Sequence, residues 1–199
     1  MQNTRLGTSG LKISRITLGC MGFGDPSKGF QRWALTEDEA QPIFRQALDL
    51  GINFWDTANY YDRGISEEIV GRAMRRLSRR EDIVLATKVG LPMHGGPGGQ
   101  GLSRRAIFEQ VDESLRRLGT EYIDLYQVHR FDSNTPIEET MEALHDIIRS
   151  GRVRYIGASS MFAWQFSEMQ HVAERHGWTR FISMQNQYSL VMREEERET

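Results

Sequence analysis

Two kinds of hydrophobic segment alternate along the chain. Short apolar runs, bounded mostly by glycine, asparagine, aspartate or charged residues, recur at residues 16–18, 52–55, 83–87, 123–128, 153–158 and 181–184. Runs of this length and setting are typical of buried strands. The segments between them are longer and place apolar residues every three or four positions, which is the period of a helix with one buried face. The pattern therefore predicts strand and helix alternating six times, and residues 193–199 open the sixth helix.

The helix ends are marked by residues that satisfy free backbone groups. Thr36 with Glu39 forms a capping box, and Ser103 precedes the third helix. Thr135 is predicted as the N-cap of the fourth helix, with Pro136 at the first helical position and Glu138 completing a capping box. The glycines that end these helices are Gly51, Gly119, Gly151 and Gly177. The residues predicted to face the core are Ile43, Ala47, Leu48, Ile69, Ala73, Leu77, Ile107, Val111, Leu115, Leu118, Met141, Leu144, Ile148, Phe162, Phe166, Met169 and Ala173.

Many of the glycines lie in the predicted connections between strands and helices. Residues 4–15 read as a β-hairpin that turns at Ser9-Gly10, and glycine-rich loops are predicted at 19–29 and 90–102. Six strand–helix units of about 30 residues predict an α/β fold with parallel strands and the helices outside. A closed eight-fold barrel needs about 250 residues, so residues 1–199 correspond to a single TIM-type (β/α) barrel domain with about six of its eight units. The alternative is an open, doubly wound sheet.

The composition and net charge of the chain exclude several classes of function. The 199 residues are 39% hydrophobic and 26% charged, and a formal net charge of -2 gives no electrostatic case for binding nucleic acid or an anionic membrane. Cys20 is the only cysteine, so an internal disulfide and a multi-cysteine metal site are excluded. No apolar run approaches the roughly 20 residues of a membrane span, and the N-terminus does not resemble a signal peptide. We expect a cytoplasmic protein, and we interpret the five arginines within residues 72–80 as a solvated helix face.

Polar and ionisable residues mark the carboxyl ends of the second to sixth strands, which favours the barrel because those ends meet at one mouth. Asp56 ends the second strand, Tyr61 follows it in a polar loop, Lys88 ends the third strand and His129 the fourth. A tyrosine, with an ordinary pKa of about 10, can donate a proton when a nearby ammonium stabilises the phenolate. A carboxylate keeps that ammonium charged, and a histidine can orient a carbonyl oxygen. These four residues suit protonation of the alkoxide that forms when an aldehyde or ketone is reduced.

The hydride for such a reduction has to come from a cofactor, because no side chain supplies one. Ser159, Ser160 and Gln185 follow the last two predicted strands and suit the carboxamide of a nicotinamide ring. The loop residues that could line a substrate pocket are Trp33, His94 and Phe131. Asp124 lies inside a strand and is predicted to be a structural hydrogen-bonding residue.

One motif suggests a different kind of fold, one that binds dinucleotides. Residues 96–101 satisfy the G-x-G-x-x-G pattern of dinucleotide-binding folds. That pattern has to follow a strand directly and be followed by an acid at the end of the next strand. Here the strand ends several residues earlier and Asp124 lies in mid-strand, so we interpret the segment as a mobile loop over the barrel mouth.

Several motifs occur in an order that resembles the aldo-keto reductases. They are residues 51–58 with Tyr61, Ser66-Glu67-Glu68, Ala86-Thr87-Lys88, residues 124–129 and residues 151–159. The bacterial YajO-type branch is the most similar, through residues 158–161 and 193–198. The resemblance implies a (β/α)8 barrel that binds NADP(H) in an extended form, with Tyr61 as proton donor, Lys88 and Asp56 as its tuning pair and His129 orienting the substrate. It also implies that Ser159, Ser160 and Gln185 hold the nicotinamide amide, although the family usually has asparagine at position 160.

The resemblance also implies about a hundred further residues, with the last two strands and the groups that stack on nicotinamide and grip the 2′-phosphate. We therefore expect a chain that is truncated at the C-terminus, or else an intact short protein. The alternative function is a catalytically inactive fragment or a regulatory barrel, similar to the potassium-channel β subunits of this family. The expected partner of the leading hypothesis is a small-molecule carbonyl compound, while substrate, oligomeric state and the choice between NADPH and NADH stay open.

Overall fold

The computed structural model describes residues 1–28 and 30–197, and its centre is a parallel sheet of six strands. The strands are β3 (Thr17–Gly19), β4 (Phe54–Asp56), β5 (Val84–Val89), β6 (Ile123–Val128), β7 (Val153–Ser159) and β8 (Met184–Gln185). Each strand pairs in parallel with the next one along the chain, so the sheet has no point at which the strand order reverses. A doubly wound sheet requires such a reversal. The sheet is instead a curled half-barrel, as predicted.

Within residues 1–28 and 30–197, five α-helices connect the strands. They are α1 (Glu37–Asp49), α2 (Ile65–Leu77), α3 (Arg104–Leu118), α4 (Ile137–Arg149) and α5 (Ala163–His176). Successive helices pack against each other, and a large apolar cluster fills the space between them and the sheet. Trp55 and Tyr126 are the bulkiest fully buried members of that cluster. The helices therefore lie on one face of the sheet, which leaves its other face for the interior of the barrel.

The interior changes from apolar to polar along the strands. Its lower part is a second apolar cluster, made of Phe54, Val84, Ala86, Leu125, Tyr155 and Ile182 with Leu6, Leu11 and Ile13. The last three belong to the N-terminal hairpin of β1 (Asn3–Arg5) and β2 (Lys12–Ser14), which therefore contributes to the amino-terminal end of the barrel core. Two residues further along β4 and β5, the inward positions are occupied by Asp56 and Lys88. Because side chains alternate along a strand, the same faces that supply the core also supply a polar layer at the mouth.

The hairpin connection differs from the predicted Ser9-Gly10 turn. Leu6 N–H donates to the carbonyl of Leu11 at 2.9 Å, and the Ser9 hydroxyl donates to the Leu6 carbonyl at 2.7 Å. The loop therefore spans the residues between Leu6 and Leu11. Gly7, with φ +58°, supplies the left-handed backbone instead of Gly10.

The helix starts confirm two predicted caps and correct a third. Thr36 with Glu39 forms the predicted capping box, and the Ser103 hydroxyl accepts from Ala106 N–H at 3.2 Å. The prediction at Thr135 is wrong, because its hydroxyl donates to Asp132 at 2.7 Å and Pro136 is the N-cap residue. Pro136 has an extended ψ of 137°, so the helix begins one residue later than predicted.

Other predicted positions shift by a few residues. The buried face of α1 centres on Phe44, with Ile43 and Leu48 only half-buried. Phe162 is the N-cap of α5 and is 57% exposed, so the prediction that it faces the core is wrong. Strand β8 is two residues long and begins at Met184, where the predicted strand ended. Residues 194–197 form a 3₁₀ turn where a sixth helix was predicted, and the remaining residues of that prediction, 198 and 199, lie outside the described chain.

The arginines of residues 72–80 are more than a solvated face. Arg75 donates to the carbonyl of Leu118 at 2.7 Å and so satisfies the C-terminus of α3. Arg80 donates to Asp124 at 2.7 Å, and Asp124 also accepts from Leu85 N–H at 2.9 Å. Asp124 is therefore a structural residue, as predicted. Across the described residues, none of the helices combines the length and apolar character that a bilayer crossing demands.

Candidate active site

Lys88 lies at the centre of the polar layer. It is the penultimate residue of β5, faces the barrel interior and is only 1% exposed. Its Nζ donates to Asp56 Oδ2 at 2.6 Å, to the Thr57 carbonyl at 2.9 Å and to Tyr61 Oη at 3.2 Å. An ammonium has three N–H donors, and each has an acceptor here. Burial of the charge is therefore compensated by direct contacts.

Asp56 is the buried counter-charge. Its Oδ2 accepts from Lys88 and, at 3.3 Å, from Gln185 Nε2, while its Oδ1 accepts from Gln127 Nε2 at 2.9 Å. A carboxylate that loses water is stable only when its oxygens keep such partners. The donors come from β5, β6 and β8, so the carboxylate joins strands across the interior.

Tyr61 lies in the loop that leaves β4. This loop is anchored to β5, because Thr57 N–H donates to the Ala86 carbonyl at 2.9 Å and Asn59 N–H to the Lys88 carbonyl at 3.2 Å. Tyr61 then begins a 3₁₀ turn, Tyr61–Gly64, in which Asp62 and Arg63 have positive φ angles of 47° and 53°. The half-buried tyrosine thus presents its hydroxyl to the Lys88 ammonium.

His129 follows β6 and is half-buried beside the tyrosine. The two rings meet edge to face, with centroids 5.7 Å apart and planes at 84°. Burial, followed by the positive charges of Lys88 and Arg130, lowers the pKa of His129 to about 4. The imidazole is therefore neutral at pH 7 and can act as a hydrogen-bonding group. Its Nδ1 is buried and has no hydrogen-bond partner among the described residues.

Three neutral side chains lie at the same end of the sheet. The hydroxyls of Ser159 and Ser160 are 3.2 Å apart, and the Ser160 N–H is held by Asn186 Oδ1 at 3.0 Å. Gln185 pairs with Ser159 in the β7–β8 ladder and uses its Nε2 on Asp56. A glutamine oriented in this way offers Oε1 as an acceptor, and the serines offer hydroxyl donors. A nicotinamide carboxamide needs one acceptor and one donor, so the donor set fits that group.

The structure thus brings together all four predicted catalytic residues and places the three predicted cofactor residues beside them. Sequence reasoning missed Gln127, the Thr57 carbonyl and Asn186. Gln127 could have been found, because it lies two residues before His129 and so shares its face of the strand. A backbone acceptor such as the Thr57 carbonyl leaves no signal in the sequence.

The predicted substrate-pocket residues have different surroundings. Trp33 is 60% exposed, and the exposed His94 lies 3.5 Å from Glu109. Phe131 packs against Trp164 with ring centroids 6.1 Å apart and lines a cavity of about 440 Å³. Residues 96–101 form a loop of turns well after β5, which agrees with the rejection of the dinucleotide-binding motif.

Comparison with known proteins identifies the family. The family model described as "Aldo/keto reductase family" matches residues 15–199. Versiconal hemiacetal acetate reductase of Aspergillus parasiticus is 49% identical, with 100% of this chain and 62% of the relative aligned. The aldo-keto reductase dtxS3 of Metarhizium robertsii is 48% identical over 97% of this chain and 58% of the relative. The aldo-keto reductase AMT2 of Alternaria alternata is 46% identical over 98% and 59%.

The chain spans about three fifths of the length of these relatives. All three are fungal proteins, so the more specific resemblance to bacterial YajO-type reductases stays a prediction. The family match agrees with the half-barrel fold and with the polar layer around Lys88. The chain belongs to the aldo/keto reductase family.

Proposed function

We propose that this barrel reduces aldehyde or ketone groups of small molecules to alcohols with NADP(H), with Tyr61 as the proton donor. One observation carries the proposal: the Lys88 ammonium lies between the Asp56 carboxylate, at 2.6 Å, and the Tyr61 hydroxyl, at 3.2 Å. A phenol that gives up its proton leaves a phenolate, and a cation at hydrogen-bond distance stabilises that charge.

The surrounding residues hold the Lys88 ammonium and the Tyr61 hydroxyl in position. Asp56 is the counter-charge of Lys88, and the contact of Nζ with the Thr57 carbonyl fixes the direction of the ammonium. Gln127 and Gln185 donate to Asp56, so the carboxylate is held in place. The tyrosine proton then passes to the substrate oxygen as negative charge develops on it.

His129 orients the substrate. A neutral imidazole can donate one N–H to a carbonyl oxygen without competing for the proton, and the lowered pKa of about 4 keeps the ring neutral. Its edge-to-face contact with Tyr61 sets the two rings around one point in the interior. A carbonyl oxygen bound at that point is polarised by one residue and protonated by the other.

The cofactor supplies the hydride when it is bound. Ser159, Ser160 and Gln185 would hold its nicotinamide carboxamide, and Ser160 also lines a cavity of about 340 Å³ next to Arg130. The preference for NADP(H) comes from the resemblance to the family. The names of all three relatives described above contain the word "reductase".

The test mixes purified protein with NADPH or NADH and a panel of aldehydes, and follows the loss of cofactor absorbance. We expect aldehyde-dependent consumption of NADPH. Saturable NADPH binding without turnover, followed by the fluorescence of the cofactor, would instead support the alternative of a regulatory or binding barrel. No binding and no turnover would contradict both.

A further inference from the structure

Three side chains, Glu67, Thr87 and Arg117, form a buried cluster that joins the strand of Lys88 to the helix that follows Tyr61. We propose that Glu67, held between Thr87 and Arg117, is a positioning residue that sets the distance between the Tyr61 hydroxyl and the Lys88 ammonium. This inference rests on the proposed function, in which that distance governs proton donation.

The contacts within the cluster are short. Glu67 is fully buried in the first turn of α2, where its Oε1 accepts from the Thr87 hydroxyl at 2.6 Å. Its Oε2 accepts from Arg117 Nε at 2.6 Å, and the Arg117 side chain is only 9% exposed. A carboxylate from α2 is thus fixed to strand β5 on one side and to helix α3 on the other.

The cluster controls the tyrosine because of where its members lie in the chain. Thr87 immediately precedes Lys88 in a strand that both neighbouring strands hold in register. Glu67 follows Tyr61 by six residues, and only the Tyr61–Gly64 turn separates the tyrosine from α2. Fixing Glu67 on Thr87 therefore fixes the start of α2, and with it the tyrosine, relative to the lysine.

Arg117 touches the turn itself. A Cβ atom at Gly64 would lie 2.6 Å from Arg117 Cδ and 2.8 Å from its Nε, so the arginine packs closely across the end of the turn. The turn also contains two consecutive non-glycine residues with positive φ, Asp62 and Arg63. Such a backbone persists only where the surroundings hold it in place. The arginine and the carboxylate supply such a restraint.

Stability alone does not account for the cluster. A buried ion pair contributes little net stability compared with apolar residues of similar size. Its directional bonds do fix geometry, which an apolar contact would not do. A cluster that joins the lysine strand, the tyrosine turn and α3 is best explained by that geometry.

The test measures the ionisation of Tyr61 without cofactor or turnover. The phenolate absorbance near 295 nm is recorded against pH for each variant with and without Tyr61→Phe, and the difference isolates Tyr61. We expect Thr87→Val to move this absorbance change to higher pH by roughly half a pH unit or more, because an ammonium about 1 Å farther away stabilises the phenolate less. Thr87→Ser, which keeps the hydroxyl, should restore the original curve.

The matched control is a partly buried ion pair elsewhere in the structure, between Arg80 in the turn before β5 and Asp124 of β6. Arg80 Nη2 contacts Asp124 Oδ2 at 2.7 Å, far from the tyrosine turn in the chain, so Asp124→Asn should lower stability and leave the Tyr61 curve unchanged. If Thr87→Val does not fold, Arg117→Lys gives the same readout, because a lysine cannot reproduce the guanidinium contact.

Lys88→Met separates the two proposals. If Lys88→Met moves the absorbance titration of Tyr61 while Thr87→Val and Arg117→Lys do not, the positioning role of Glu67 is wrong and the proposed function stands. If Lys88→Met also leaves the curve unchanged, the lysine does not act on the tyrosine, and both proposals are contradicted.

Discussion

Gln127 donates from Nε2 to Asp56 Oδ1 at 2.9 Å, and so joins the strand that leads to His129 to the strand that leads to Tyr61. The bond crosses the barrel interior between β4 and β6, with Lys88 of the intervening β5 bonded to the same carboxylate. Three neighbouring strands therefore meet on one buried acid. Its bonds hold the loops that carry the candidate proton donor and the candidate substrate-orienting residue at a fixed separation.

Lys88→Met tests the buried charge pair. The substitution leaves the Asp56 carboxylate buried without its cation, and we expect the free energy of unfolding in urea to fall by about 3 kcal/mol. Lys28→Met is the matched control, because its ion pair with Asp25 is 3.8 Å long and its side chain is 63% exposed. The control should change stability by less than about 0.5 kcal/mol. Equal effects of the two substitutions would show that the interior pair is not desolvated.

Gly71→Ala tests the crossing of α2 and α3. Alanine favours a helix by about 1 kcal/mol over glycine, but a Cβ at this position would overlap the backbone carbonyl of Leu118. Backbone cannot move aside as a side chain can, so we expect a net loss of about 1–3 kcal/mol in unfolding free energy. Gly10→Ala, where nothing lies within 4 Å of the added atom, should be nearly neutral. A stabilised Gly71→Ala variant would mean that the helices are not in close contact.

The depressed pKa of His129 predicts a pH-dependent stability. In the unfolded chain this histidine binds a proton near its ordinary pKa of 6.5, whereas in the folded protein its pKa is about 4. Between these values the unfolded state holds more protons, so stability falls as pH is lowered from about 6.5 to about 4, by at most about 1.4 kcal/mol per pH unit.

The measurement compares urea unfolding of the protein and of His129→Asn across that range. The difference between them should shrink or reverse as the pH falls. His171→Asn, on an exposed position of α5, serves as the control and should follow the unsubstituted protein. A constant difference between His129→Asn and the unsubstituted protein would place the imidazole in contact with solvent.

Much of the fold was predictable because local and periodic signals agree with it. The Thr36 capping box and the glycine that ends α3 depend on residues only three or four positions apart, and both are confirmed. The ordered parallel sheet follows from strand and helix alternation. Pro136 was misplaced because Asp132 competes for the Thr135 hydroxyl, and that contact depends on the loop conformation.

In the candidate site, the sequence predicted which side chains lie at the mouth of the barrel, but it did not predict the backbone conformation or the buried contacts behind them. Asp56, Lys88 and His129 could be placed because they end strands that share one mouth. The positive φ angles of Asp62 and Arg63 could not be predicted, because only a few per cent of non-glycine residues adopt them and arginine is not among the types enriched there. The Glu67 cluster also escaped detection, since Glu67, Thr87 and Arg117 are up to 50 residues apart in the chain.

The most direct test of the account is the activity of Tyr61→Phe beside that of Tyr60→Phe, at saturating NADPH and aldehyde. Tyr60 is the matched control, because it neighbours Tyr61 and its ring packs edge-on against Phe30 with centroids 5.5 Å apart. We predict that Tyr61→Phe lowers kcat by about 100-fold or more with NADPH affinity unchanged, and that Tyr60→Phe keeps most of the activity. Undiminished turnover by Tyr61→Phe would contradict its role as the proton donor.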